Sequence, residues 1–309
     1  MNEPAPTTTL AILSPGDMGH AVGRVLHEAG ARVITCLQGR SERTRSLAAD
    51  AGIEEMPDFE SVALEADIIL SIMVPGNAVG LANTTAEAIQ RTATHPIFAD
   101  CNAIAPATAR KIASTIEAHG GRFVDAGIVG LPPSAGKSGP RLYASGHNAS
   151  DLLVLRDYGI DVRVVGDSVG QASGLKMCYA SVTKGFTALA TIQQAAAAAM
   201  GLSEPLLREL TESNPALLAW MEGMVSAMPP KAHRWVAEMQ EIAATFESLR
   251  LPSGMMLGAA DLYALTAATS LGAEIPESRT SGESMDAVAR TLVEEHIRRR
   301  QPPGFPESV

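Results

Sequence analysis

TLAILSPGDMGHAVGRVLHEAG, residues 9–30, carries a strand, a glycine turn and a helix in that order. Thr9–Leu13 is a short apolar run of strand character, Ser14, Pro15, Gly16, Asp17, Met18 and Gly19 come directly after it, and His20–Gly30 reads as a helix closed by glycine. Such a unit opens a dinucleotide-binding fold. Backbone must approach a pyrophosphate closely while helix N–H groups point at it, and glycine is used where a Cβ would collide. In the G-x-G-x-x-G pattern the first glycine is here Ser14. A plain strand-to-helix turn would use the same residues, so the turn gains meaning from the second strand and its tip.

Outward from it, Ala31–Leu37 is that second strand, ending in Gln38, Gly39, Arg40 and Ser41 with no acidic residue at its tip. An Asp or Glu there would hold the ribose hydroxyls of NAD, whereas an arginine beside a hydroxyl suits a 2′-phosphate, so Arg40 and Ser41 favour NADP(H). The alternative is a solvated helix start bearing Arg40, Arg43 and Arg45, although cations at that end oppose the helix dipole. Further strands are expected at Ala66–Val74, Pro96–Asp100, Arg122–Asp125, Arg141–Ser145 and Asp161–Val165, with helices at 41–51, 79–91 and 106–119. This alternation predicts a doubly wound parallel sheet, whose ligands lie at the carboxyl ends of the strands. That rule selects Val74 and Pro75, Cys101 to Ala103, and Gly127 to Gly130 as cleft residues. Lys137 and Arg141 read as solvated loop residues or local anion handles.

Residues 170–201, almost free of Gly and Pro and rich in Ala, Leu, Met and Gln, predict one long helix. Lys176, Tyr179, Thr183 and Lys184 fall on one stripe of it. Snorkelling from a buried helix is the plain account of its lysines. After it come helical patterns at 204–213, 216–228, 233–249, 253–271 and 282–300, without a returning strand pattern. We expect residues 1–168 to form the nucleotide-binding domain and 169–309 an all-helical one, with 1–9 a short disordered lead and 300–309 a disordered tail. The formal charge of −10 over 309 residues argues against nucleic acid or an anionic membrane as partner. The three cysteines sit in no paired or metal-ligand spacing, which predicts reduced thiols in the cytoplasm and no metal site. An Ala/Leu/Met-rich helical half predicts a homodimer, with Trp220 and Trp235 in core or interface.

In order and spacing, these signals resemble the β-hydroxyacid dehydrogenase and 6-phosphogluconate dehydrogenase superfamily, which includes imine reductases. The motifs are PGDMG at 15–19, GRS at 39–41, IMVP at 72–75, DCNAIAP at 100–106, DAGIVG at 125–130 and GLK at 174–176. Nearly the whole chain is covered, in the manner of a branch with a short helical domain. The resemblance implies a Rossmann domain joined through a long helix to an all-α domain. It also implies an oxidoreductase that transfers hydride between NADP(H) and a small hydroxy or keto compound. Lys176 then stands as general acid/base, with Tyr179 and Asn102 beside it and Lys184 as a second candidate. The chain departs from the family at Val129 to Leu131, where a Ser-Gly-Gly usually binds the substrate carboxylate. It departs also at Tyr179 and Ala180, one turn after the lysine, and at Glu238, where a later lysine is usual. Two alternatives stay open: imine reduction using Tyr179, and a non-catalytic NADP(H)-binding sensor.

Overall fold

The computed structural model describes residues 8–133, 139–275 and 282–297. The expected lead before Thr8, Lys137 and the expected tail at 300–309 lie outside them. The chain divides into two compact units, Met1–Met177 and Cys178–Val309, a division later than the one expected from sequence and inside the long helix.

The first unit is built on one sheet of β1 (Thr9–Leu13), β2 (Arg32–Cys36), β3 (Glu54–Met56), β4 (Ile68–Ser71), β5 (Ile97–Asp100), β6 (Arg122–Val129), β7 (Arg141–Ser145) and β8 (Asp161–Gly166). Their spatial order is β3-β2-β1-β4-β5-β6-β7-β8. The chain winds outward from β1 through β2 to β3, then returns to β4 and winds the other way, so the order reverses between β1 and β4. A crevice outside the strand ends results from that reversal. Neighbours are parallel except β6 and β7.

Both faces of the sheet are buried, which is why β1 reads as a continuous apolar run. Leu10 and Ile12 pack with Val22, Leu26 and Ile53 on one face; Ala11 and Leu13 pack with Leu81, Ile112 and Ile116 on the other. The flanking helices are α1 (Gly19–Glu28), α2 (Glu42–Asp50), α3 (Phe59–Glu65), α4 (Ala78–Thr92) and α5 (Pro106–Ala118).

Several expectations are corrected. β3 and α3 were not foreseen: β3 has three residues, two of them exposed glutamates, and α3 is a short helix capped by Asp58, whose side chain accepts from the Ser61 amide. β6 runs on to Val129 instead of ending at Asp125, because β7 pairs with it from Asp125↔Ser145 to Val129↔Arg141. Gly127 to Val129 therefore belong to the strand, and β6–β7 is the one antiparallel pair of an otherwise parallel, doubly wound sheet among the described residues. Residues Ala149–Tyr158 form a 3-10 helix.

The long helix, α6 (Gln171–Ala199), is continuous through the division between the units. The second unit adds α7 (Ser203–Ser213), α8 (Pro215–Ala227), α9 (Ala232–Ser248), α10 (Gly254–Ala267) and α11 (Met285–Leu292). α10 stops short of the expected Leu271, and a 3-10 turn comes after it at Ser270–Ala273. Beyond α11 a π-turn spans Val293–Ile297. Among the described residues no strand comes after Gly166, and no helix is long and apolar enough to cross a membrane.

Candidate functional site

The turn after β1 takes the three glycine roles of a dinucleotide fingerprint one at a time. Ser14 has φ 66°, the left-handed conformation that the first glycine normally supplies. The Gly16 amide donates to the Ser14 carbonyl at 2.7 Å, closing the turn. A Cβ on Gly16 would meet nothing within 4 Å, so its backbone faces open space. A Cβ on Gly19 would come to 3.1 Å from the Ser14 carbonyl oxygen and 3.3 Å from Ile12, which is the close helix-on-strand packing assigned to the third glycine. Met18, the N-cap of α1, offers no side-chain hydrogen bond, and the His20 amide already donates to the Gly16 carbonyl at 3.0 Å, so it is the amides from Asp17 to Gly19 that are left for an anion.

The arginines after β2 separate by partner. Arg43 pairs with Asp17 of the turn at 2.6 Å. Arg45 pairs with Glu55 at 2.7 Å and donates to the Leu37 carbonyl at 2.9 Å. The guanidinium of Arg40 has no hydrogen bond or ion pair among the described residues. The Ser41 hydroxyl caps α2 by accepting from the Thr44 amide at 3.3 Å, so this predicted phosphate ligand already serves the helix start.

At the next strand tips, Val74 leads into a 3-10 turn at Pro75–Asn77 in which Pro75 is buried. Asn102 is buried and fully engaged. Its side-chain oxygen accepts from the Met73 amide at 2.5 Å, and its side-chain nitrogen donates to the Ser71 hydroxyl at 2.9 Å and to Asp100 at 3.1 Å. One amide hydrogen thus ties the tip of β5 to β4 at Ser71, and the other is held by Asp100 of β5 itself. The neighbouring Cys101 thiol is held well above its ordinary pKa by burial, reinforced by the carboxylates of Asp100 and Asp125.

Lys176 is set by an anchor that the sequence did not reveal. Asp125, fully buried on β6, accepts from the Gly170 amide at 2.8 Å, the Ser173 amide at 3.1 Å, the Ser145 hydroxyl at 2.8 Å and the Ser173 hydroxyl. Ser145 in turn accepts from the Ala172 amide at 2.9 Å. A strand carboxylate thus satisfies the open amides at the start of α6 and complements its dipole. Gly127 lets the helix lie close, since a Cβ there would stand 3.1 Å from the Lys176 Cβ and 3.3 Å from the Ala172 carbonyl oxygen. The half-buried Lys176 ammonium donates to the Ile128 carbonyl. Its anchorage is therefore at the extended tip of β6, on the same sheet edge as Ser14, Val74 and Asn102 and three strand spacings, about 14 Å, from β1. The available signal for Asp125 was a carboxylate inside the apolar run RFVDAGIV, which has to be hydrogen-bonded if it is buried.

In the helical unit, Tyr179 is 48% exposed, and its hydroxyl makes no hydrogen bond among the described residues. Lys184 pairs with Glu238 at 2.7 Å, with side chains only 13% and 15% exposed, and its ammonium sits 5.1 Å from the centre of the Trp235 ring. Trp235 meets Tyr263 edge-on at 5.2 Å. The Tyr263 hydroxyl donates to the Lys184 carbonyl at 2.5 Å, and burial, with Glu238 adding to it, raises that phenol's pKa. Lys184 is thus an internal counter-ion. Among the described residues no group of His, Cys, Asp or Glu could hold a metal.

Sheet order, switch point and glycine turn together define a dinucleotide-binding protein of the doubly wound type. Residues 9–152 match the NAD binding domain of 6-phosphogluconate dehydrogenase, and residues 197–266 match a domain of unknown function, DUF1932. A 28.5 kDa protein from the 7S RNA 5′ region of Methanothermus fervidus, described as uncharacterized, is 32% identical over 181 residues, 59% of this chain and 68% of its own. The solved structure of the conserved protein MTH1747, described as similar to 3-hydroxyacid dehydrogenases, is 29% identical with a TM-score of 0.60, covering 84% of this chain and 96% of that one. The fold extends to the 3-hydroxyisobutyrate dehydrogenase of Salmonella typhimurium, with a TM-score of 0.66 at 18% identity over 92% of this chain and 99% of that one. The chain belongs to the β-hydroxyacid dehydrogenase and 6-phosphogluconate dehydrogenase superfamily, a family of dehydrogenases and reductases with an NAD(P)-binding domain.

Proposed function

We propose that the chain is an NADP(H)-dependent oxidoreductase acting on the C–O carbon of a small hydroxy or keto compound, with Lys176 as general acid/base. One observation carries this reading: the Lys176 amine is anchored at the Ile128 carbonyl, at the carboxyl ends of the strands of an NAD(P)-binding sheet. When bound, the nicotinamide gives or takes the hydride. The turn from Ser14 through Pro15, Gly16, Asp17 and Met18 to Gly19 receives the diphosphate on backbone amides, with Val74 and Pro75 bordering the crevice. Arg40, whose guanidinium has no hydrogen bond or ion pair among the described residues, takes the 2′-phosphate, and the segment Leu37 to Ser41 after β2 carries no acid of its own. Lys176 manages the proton. In reduction its ammonium protonates the oxygen left negative as the carbonyl carbon gains hydride; in oxidation the neutral amine accepts the hydroxyl proton. Ile128 fixes the direction of that nitrogen.

The test is consumption of NADPH and NADH across carbonyl and cyclic-imine panels. Lys176→Ala is expected to lower kcat/KM on the best carbonyl substrate by about 10²–10⁴; full activity in that variant overturns the assignment. Turnover of imines alone, lost in Tyr179→Phe, would favour the imine reading, for which the exposed Tyr179 hydroxyl speaks. Tight NADPH binding without turnover would favour a sensor.

We also infer a homodimer formed through the helical unit. Val182, Leu189 and Ile192 are exposed along α6, and Met200, Leu207, Met255 and Leu257 add to the apolar surface of the same unit. Light scattering of the eluted protein tests it, with Leu189→Glu expected to shift mass toward the monomer. The three free thiols fit a cytoplasmic protein.

A further inference from the structure

The turn proposed to receive a diphosphate contains an acid of its own. Asp17 lies between the open backbone of Gly16 and the N-cap Met18, and the amides of this stretch are those expected to meet the anion. A carboxylate beside them opposes a diphosphate with the same electrostatics that favour binding elsewhere in the turn. Its partner comes from the first turn of α2: Arg43 bonds its Oδ1 at 2.6 Å, and both side chains are half-buried, where screening by water is incomplete. Arg40, in the same segment, has no such partner among the described residues. The two arginines therefore do different work.

We propose that Arg43 is the neutralising counter-ion of Asp17 and thereby serves the diphosphate, while discrimination for the 2′-phosphate is left to Arg40. This rests on the reading of the turn as a dinucleotide site. Arg43 acts through Asp17 and is in that sense a positioning residue. Without it, an uncompensated charge some 7 Å from a dianion weakens binding by at least about tenfold, the lower bound set by a water-like dielectric. Every ligand with a diphosphate loses alike, whether or not it carries the 2′-phosphate.

The experiment is calorimetric titration of the full chain with two probes, ADP-ribose and 2′-phospho-ADP-ribose, with circular dichroism to confirm that each variant is folded. R43Q is expected to weaken both probes by at least about tenfold, and the deficit is expected to shrink as salt is raised from about 0.05 to about 0.5 M. R40Q is expected to weaken only the phosphorylated probe. The double variant D17N/R43Q, which lacks the tie between turn and α2 but also lacks the charge, is expected to restore both affinities to within about twofold of the parent. A purely structural tie would not be rescued, so a double variant as weak as R43Q overturns the proposal. Loss of the phosphorylated probe alone in R43Q, or no loss at all, overturns it too, while leaving the dinucleotide site standing. Failure of the parent chain to bind either probe removes the dinucleotide reading and this inference together.

Discussion

Replacing Asp125 probes the joint between sheet and long helix. Asp125→Ala deprives the Gly170 and Ser173 amides and the Ser145 hydroxyl of their acceptor in a fully buried place. A buried donor left unsatisfied costs about 1–3 kcal/mol. The hydroxyls can rotate and the amides cannot, so we expect a loss of about 4 kcal/mol, mostly from those two amides. Asp125→Asn differs: one oxygen remains for the donors now on Oδ2, and the new amide can face the Ser173 hydroxyl, which can accept as well as donate. The losses there are charge assistance and the interaction with the dipole of α6, about 1–2 kcal/mol. With about 2–4 °C per kcal/mol for a unit of this size, the alanine variant should melt about 8–16 °C lower and the asparagine variant about 2–8 °C lower. Trp220 and Trp235, the only tryptophans, lie in the helical unit. Their fluorescence therefore misses this transition, and thermal circular dichroism with hydrogen exchange at residues 170–177 is the fitting assay. Equal melting of parent and alanine variant, or an asparagine variant more stable than the parent, would refute the reasoning, the latter by showing that desolvation of the carboxylate outweighs its hydrogen bonds.

Within the helical unit, Glu238→Gln should destabilise by about 3–5 kcal/mol, since it strands the Lys184 ammonium in a largely buried position, whereas a Lys184→Met/Glu238→Leu pair should sit near the parent; chemical unfolding monitored by tryptophan fluorescence reads both. Gly127→Ala places a methyl 3.1 Å from the Lys176 Cβ and should cost about 1–3 kcal/mol by overpacking, with a fall in kcat larger than any change in cofactor affinity. Among the thiols, burial raises the pKa of Cys101 and of Cys36 and so withholds their reactive thiolates as pH rises from 7 to about 9, while Cys178 is exposed. A disulfide reagent should titrate one fast thiol, absent in Cys178→Ser; two fast thiols in the parent would contradict the burial.

The nucleotide half was legible because its signals are local and repeated. β1 and β7 fall on their predicted residues, and the helix expected from residue 106 begins at Pro106, where a residue with no N–H is tolerated. The elements that escaped were short or non-local. β3 offers two exposed glutamates and no apolar alternation, and the length of β6 is imposed by its antiparallel partner rather than by its own composition. At the site, Lys176 drew attention as a cation on a stripe of small residues, but its anchor at Ile128 and the Asp125 network join residues from three separate segments. Asn102 shows the converse: a polar residue at a strand tip looks available in a linear reading, and the structure spends each of its polar groups on neighbouring backbone and side chains. Arg40 and Arg43 are alike in sequence and differ only through the distant Asp17.

For anyone cutting this chain to study cofactor binding alone, the Asp125 network sets where the scissors go. A fragment stopping at Asp167 or Ser168 discards the amides of Gly170 and Ser173, exposes the carboxylate that they shield, and forfeits Lys176 as well. Extension through Met177 keeps two turns of α6 as an integral strap of the sheet.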